Sequence, residues 1–217
     1  MTAKTTTAEL DATLAGALPP ISHESKRLAR RVARLLAEGE PLEIERIAHV
    51  LERPEPEVEA AIAELPWVVR DDRERVVGFW GLGLIKTPHR LRVAGRDLYA
   101  FCAMDALYLP FLLGAEIEIE STDPTTGEPI ALTVSPEGLG DVSPAEAAVS
   151  LRIPADGFTG DSLQVIKDAC HFIHFFASEE AAHECARRHD GIFVVSLQDA
   201  FELAARSLAP RLVAVDR

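Results

Sequence analysis

The stretch Trp67-Val68-Val69-Arg70-Asp71-Asp72-Arg73-Glu74-Arg75-Val76-Val77-Gly78-Phe79-Trp80 decides how the first half of the chain folds. Two runs of β-branched and aromatic residues flank a charged turn, which is the pattern of a β-hairpin. Upstream, apolar residues recur three times at helical spacing. Leu28, Val32, Leu35 and Leu36 mark a helix from Ser25 to Ala37 that stops at Gly39. Ile44, Ile47, Ala48 and Leu51 mark a second after Pro41, and Val58, Ala61, Ile62 and Leu65 a third after Pro54 and Pro56. Three helices followed by a hairpin predict a winged-helix-like unit over residues 21–88. Residues 1–20, polar, rich in Thr and Ala, and closed by Pro19-Pro20, read as a flexible tail.

A winged helix raises the question of DNA, and the third helix answers it. Between Pro54 and Pro66 it carries Glu55, Glu57, Glu59 and Glu64 and no Lys or Arg. The whole chain has a formal charge of −13. Binding to a phosphate backbone depends on cationic contacts, so nucleic acid is excluded as a partner and the unit reads as scaffold.

The second half, residues 89–217, changes texture. Strand-like stretches lie at Arg90 to Val93, Ala115 to Glu120, Ile130 to Val134 and Ala148 to Ile153, with the clearest alternation in Glu116-Ile117-Glu118-Ile119-Glu120. Asp123 to Gly127 reads as a hairpin loop, and Pro136 to Gly140 as an irregular connection. Asp161 to Ala169, Ser178 to His189 and Leu197 to Leu208 read as helices, Cys170 to Phe176 and Ile192 to Val195 as strands. The expected class is α+β, with the helical unit packed on a mixed, sheet-containing catalytic domain. The chain's 217 residues suffice for one large domain or two small ones sharing an interface. No apolar stretch approaches the roughly 20 residues that span a bilayer, and the N-terminus lacks a secretory pattern, so the expected location is cytoplasmic.

Three widely spaced cysteines, Cys102, Cys170 and Cys185, do not make a disulfide framework and are free for chemistry. Leu98 to Leu107 is apolar enough to be a buried helix, which would put Cys102 and Asp105 on one face. A buried carboxylate is costly unless bonded or functional, and burial would move its pKa toward a range useful for proton transfer. The alternative is that Asp105 satisfies the local backbone while Cys102 packs, and local sequence does not decide between them. In Ala169 to Ser178 a strand would put Cys170, Phe172, His174 and Phe176 on one face and His171, Ile173 and Phe175 on the other. The two histidines then diverge, and no CxxC or HxxxH pair supports zinc. Cys185 shares a helical stripe with Ala182, Ala186 and His189 and reads as packing.

The segments LYAFCAMDALYLPFLLG (residues 98–114) and ACHFIHFFAS (residues 169–178) resemble the two active-site stretches of the organomercurial lyases. LTVSP at 132–136 and AVSLRIP at 148–154 also resemble segments of that family, so the likeness runs from about residue 21 to 205. The resemblance implies cleavage of a carbon–mercury bond by Cys102, Asp105 and Cys170, which would also hold the Hg(II) product. It implies no organic cofactor, with cellular thiols or a mercuric reductase as acceptor of Hg(II); the chain itself is expected to be a monomer or weak dimer. Tyr99, Phe101, Met104 and Phe172 would line the substrate. Two departures stand out: His171 replaces a second cysteine that some members carry, and no cysteine occurs around Ile117 to Thr122. Other readings are a non-catalytic mercury or copper carrier, a metal sensor on the same scaffold, and, more weakly, a cysteine hydrolase using Cys170 with His171 or His174.

Overall fold

The structure, a computed structural model, describes residues 7–158 and 161–213. The expected flexible tail is corrected at once. Residues 1–6 lie outside the described residues, but the chain forms helix α1 over Thr7–Ala17, with Leu10 and Leu14 each 2% exposed. Leu10, Leu14 and Leu18 recur at a spacing of four, a stripe that the Thr- and Ala-rich composition obscures. Tertiary burial of that stripe, not intrinsic propensity, holds so short a helix.

The three predicted helices follow: α2 (His23–Leu36), α3 (Ile44–Leu51) and α4 (Glu55–Ala63). Ser22 caps α2, its Oγ accepting from the Ser25 amide at 3.0 Å, and α4 starts directly after Pro54. The predicted hairpin is formed by β1 (Val68–Arg70) and β2 (Val76–Phe79), with Val68 opposite Phe79. Asp71 organises its turn by accepting from the Arg73 and Arg75 amides and pairing with the Arg75 guanidinium at 2.6 Å.

This hairpin is not a free-standing wing. Strand β2 pairs with β3 (Leu82–Gly83), and the next strands are β4 (His89–Val93) and β5 (Arg96–Ala100). Helix α5 (Ala103–Leu113) then crosses the core, followed by β6 (Ile117–Thr122), β7 (Pro129–Ser135) and β8 (Gly138–Ser143). The eight strands form one antiparallel sheet in the order β1-β2-β3-β5-β4-β6-β7-β8. The sheet therefore runs across the 88/89 boundary, and one core cluster extends from Leu10 to Leu212.

A second antiparallel sheet has β9 (Ala148–Arg152) at its centre. After α6 (Ser162–Asp168) and a 3-10 turn (Cys170–Phe172) come β10 (Phe175–Phe176), α7 (Glu179–Ala186) and β11 (Ile192–Ser196), in the order β10-β9-β11. The chain closes with α8 (Leu197–Leu203), a π-helical turn (Ala204–Leu208) and α9 (Ala209–Leu212). The π-helical turn packs against α1 and α5.

Three local expectations are corrected. Leu98 to Ala100 are strand, not helix, because β5 is paired on both sides, with β3 and β4, and ladder bonds outweigh the helical pattern. Cys170 to Phe172 are a 3-10 turn, not strand, and only Phe175 and Phe176 join β9. The connection after Pro136 contains β8, paired with β7 through a register shift between Leu132 and Val134.

Candidate active site

Strand β5 delivers the chain to Cys102, which is the N-cap of α5. Its Sγ accepts the Asp105 amide at 3.4 Å, as a Ser or Thr oxygen does at this position. Cys102 and Asp105 are thus neighbours because one caps the turn in which the other sits, rather than because both lie within a helix. The α5 N-terminus presents amide dipoles that favour a thiolate once it forms.

The Cys170 turn is fastened to this N-terminus and to β9. The Ala103 amide donates to the Ile173 carbonyl at 3.1 Å. Ser150 on β9 is fully buried; its hydroxyl donates to the Phe172 carbonyl at 2.7 Å and accepts the His174 amide at 3.0 Å. These bonds bring the ligand atoms of Cys102, Asp105 and Cys170 within 4.8 Å of one another.

Gly81 completes the arrangement. Its φ is +83°, and a Cβ there would lie 2.5 Å from both Cγ and Oδ1 of Asp105. The carboxyl therefore rests on bare backbone that no other residue provides. Gly81→Ala should cost on the order of 1–3 kcal/mol from its left-handed backbone alone, read as a lower thermal midpoint.

The cluster opens on a cavity of about 80 Å³ whose walls are almost entirely apolar, among them Leu14, Leu18, Trp67, Trp80, Phe101 and Met104. Of the four expected lining residues, Phe101 and Met104 border it. Tyr99 does not, because alternation along β5 turns Leu98 and Ala100 into the core and Tyr99 to the other face. Phe172 does not either; its ring packs beneath the Arg152 guanidinium, 4.0 Å away, and beside His189.

Electrostatics follow from burial. Asp105 faces the cavity, and desolvation raises its pKa from 3.8 to about 6 against the opposing hydrogen bonds from Cys102. Desolvation pushes the Cys102 thiol well above its ordinary value, helped by its hydrogen bond with Cys170 and by the Asp105 charge. Cys102 is therefore a neutral thiol at rest beside a largely ionised carboxylate at neutral pH.

His171 and His174 are not part of this group: the His174 Nε2 bonds the His171 carbonyl at 2.8 Å, and His171 is exposed. Cys185 packs on α7 against the small cluster of Ala148, Phe176, Ala181 and Ala182.

Residues 82–209 match the family profile of the alkylmercury lyases. The alkylmercury lyase of Bacillus cereus is 42% identical over 179 residues, covering 82% of this chain and 79% of that protein. The chain belongs to the alkylmercury lyase family. The family's Streptomyces lividans member is 36% identical over 190 residues, 87% of this chain and 85% of the relative. The crystal structure of the mercury-bound form of MerB2 superposes with a TM-score of 0.71 at 26% identity, covering 96% of this chain and all of that one. In this lyase-family chain, the site residues that sequence reasoning missed include Leu14, Leu18, Trp67, Trp80, Gly81 and Tyr108. The leucine spacing of four could have revealed α1, and Tyr108 lies three residues beyond Asp105 on α5.

Proposed function

We infer that this chain is an organomercurial lyase, cleaving the carbon–mercury bond of alkyl- and arylmercury compounds with Cys102, Asp105 and Cys170. The observation that carries the reading is the convergence of two thiols and one carboxyl at an apolar cavity. Mercury is soft and prefers thiolate to oxygen or nitrogen, so the two sulfurs select it.

The substrate reaches the site as an organomercury thiolate. One cysteine exchanges with the thiolate already on mercury, which leaves with the first proton. As the second sulfur binds, its proton passes to Asp105, which suits Cys102 because that thiol is neutral and adjacent to the carboxylate. Two thiolates raise electron density on the bond to carbon. Asp105 then delivers its proton to that carbon, the bonding pair stays with carbon, hydrocarbon leaves, and Hg(II) remains on both sulfurs. The balance closes with no electron acceptor and no organic cofactor. Apolar walls keep water from competing for the proton.

The cavity sets a size threshold. A methyl or ethyl group fits as the walls stand. A phenyl group requires them to yield, since a cavity of roughly 150 Å³ is the scale that takes benzene.

The winged-helix-like unit of residues 21–88 is read as scaffold, with Trp67 and Trp80 contributing to the cavity and the glutamates of α4 turned against a role on DNA. Among the described residues no helix is long and apolar enough to cross a membrane. Cytoplasmic thiols, or a mercuric reductase, are the expected acceptors of Hg(II).

Cleavage of phenylmercury in D2O tests the protonation step: the expected product is benzene carrying one deuterium. Unlabelled benzene or biphenyl would rule it out in favour of radical chemistry. A second expectation concerns pH. Asp105 must be ionised to accept the thiol proton, so kcat/KM should fall about tenfold per unit as pH drops below about 6. A profile flat from pH 5 to 8 would contradict this role.

A further inference from the structure

Tyr108 lies three residues past Asp105 on α5, is 1% exposed, borders the catalytic cavity and has no part in the chemistry above. Its hydroxyl donates to the carbonyl of Trp80. Trp80 is itself unusual: it is a bulky residue at φ +47°, followed by Gly81 at φ +83°. The pair forms the two-residue loop between β2 and β3, where Gly81 takes its positive φ at no cost, but a bulky tryptophan there is strained and persists only where the surroundings impose it.

The surroundings do so from several directions. The Trp80 amide donates to the Trp67 carbonyl at 3.1 Å, and its indole N–H to the Pro66 carbonyl at 2.9 Å. Its ring stacks on Phe79 with centroids 5.5 Å apart. The Gly81 carbonyl accepts the Phe101 amide at 3.0 Å. The Tyr108 hydroxyl holds the peptide that joins Trp80 to Gly81, and the Asp105 carboxyl lies directly against the Gly81 Cα.

We propose that Tyr108 is a positioning residue for the proton transfer: through the Trp80 carbonyl it locks the Trp80-Gly81 turn that seats the Asp105 carboxyl over Cys102 and Cys170. Tyr108 and Asp105 come from the same helix, three residues apart, so the helix and the turn form a closed frame around the carboxyl. Proton delivery to carbon is sensitive to distance and direction, whereas capture of mercury by two sulfurs is not. The inference rests on the lyase reading of the site.

The test compares wild type, Tyr108→Phe, Gly81→Ala and Ile62→Val with methylmercury in excess thiol. Ile62 is a buried residue of α4 outside the cavity lining, and its truncation reports the effect of lost stability alone. For Tyr108→Phe, kcat should fall about tenfold or more, since small misplacements of reacting groups have such effects. KM and the ultraviolet absorption of the Hg(II)–dithiolate should be unchanged, and the solvent deuterium isotope effect on kcat should rise. Gly81→Ala, which pushes on the same carboxyl from below, should reproduce this split, and Ile62→Val should not.

Full kcat in a folded Tyr108→Phe protein would overturn the proposal. A parallel loss of kcat and mercury binding, as a structural role would give, would also overturn it. If Tyr108→Phe does not fold, full kcat in Gly81→Ala has the same force. Absence of methane from the wild type would instead remove the lyase reading, and this inference with it.

Discussion

Asp105→Asn should lower hydrocarbon release from methyl- or phenylmercury by about 10²- to 10⁴-fold, the range that a positioned general acid contributes. Binding of Hg(II) should change little, because the two sulfurs remain. The same variant should be more stable than the wild type at neutral pH. The Asp105 carboxyl moves from 3.8 to about 6 on folding, so the folded state holds its proton more tightly than the unfolded chain. Wild-type stability is therefore highest below about pH 4 with respect to this group and declines as pH rises through about 6. Asparagine carries no such penalty. Allowing for screening at a side chain that faces a cavity, the gain at pH 7.5 should be about 1–2 kcal/mol. Thermal unfolding at pH 4 and 7.5 would check it; an equal difference at both would show that the carboxyl's ionisation is not the cause.

The second large effect belongs to the thiols. Cys102→Ser and Cys170→Ser should each reduce turnover on the order of 10³-fold or more, because no third thiol borders the cavity and the Met104 thioether there cannot supply the negative charge of a thiolate. Serine is the informative choice at 102. A hydroxyl still caps α5 by accepting the Asp105 amide, so stability should be retained while chemistry is lost. Alanine at 102 would also remove the cap, at about 1 kcal/mol. Cys185→Ser, on α7 away from the cavity lining, should leave turnover at the wild-type level. Near-normal turnover in either Cys102→Ser or Cys170→Ser would break the two-thiolate account.

Much of this was written in local pattern. The alternation in Glu116 to Glu120 became β6, whose residues alternate buried and exposed, and the stripes through Leu28 and Ile47 became α2 and α3. What sequence concealed was long-range. The helical stripe of α1 is visible only to someone who trusts three leucines over a polar composition, since the surface that buries it is formed largely by the other end of the chain. The switch from β5 to α5 at Phe101 is set by pairing with two other strands, not by any residue preference in Leu98 to Leu107. The Cys170 turn has the β-branched and aromatic content of a strand. Ser150, twenty residues upstream, holds it as a turn instead by taking up the Phe172 carbonyl and His174 amide. The meeting of Cys170 with Cys102 and Asp105 was accordingly invisible to spacing, and only the family resemblance anticipated it. Gly81 and Tyr108 escaped notice for the same reason: a glycine matters here for what rests on it, and a tyrosine for the carbonyl that it holds.

The central claim is that the three side chains form an enzyme and not a mercury trap, and a turnover count tests it most directly. Purified wild-type protein would be mixed with a hundredfold excess of methylmercury in excess thiol, with methane and Hg(II) measured together over time. The account predicts equal amounts of both, rising well beyond one equivalent per protein. Tight mercury binding with no methane would contradict it and leave a carrier built on the scaffold of a lyase.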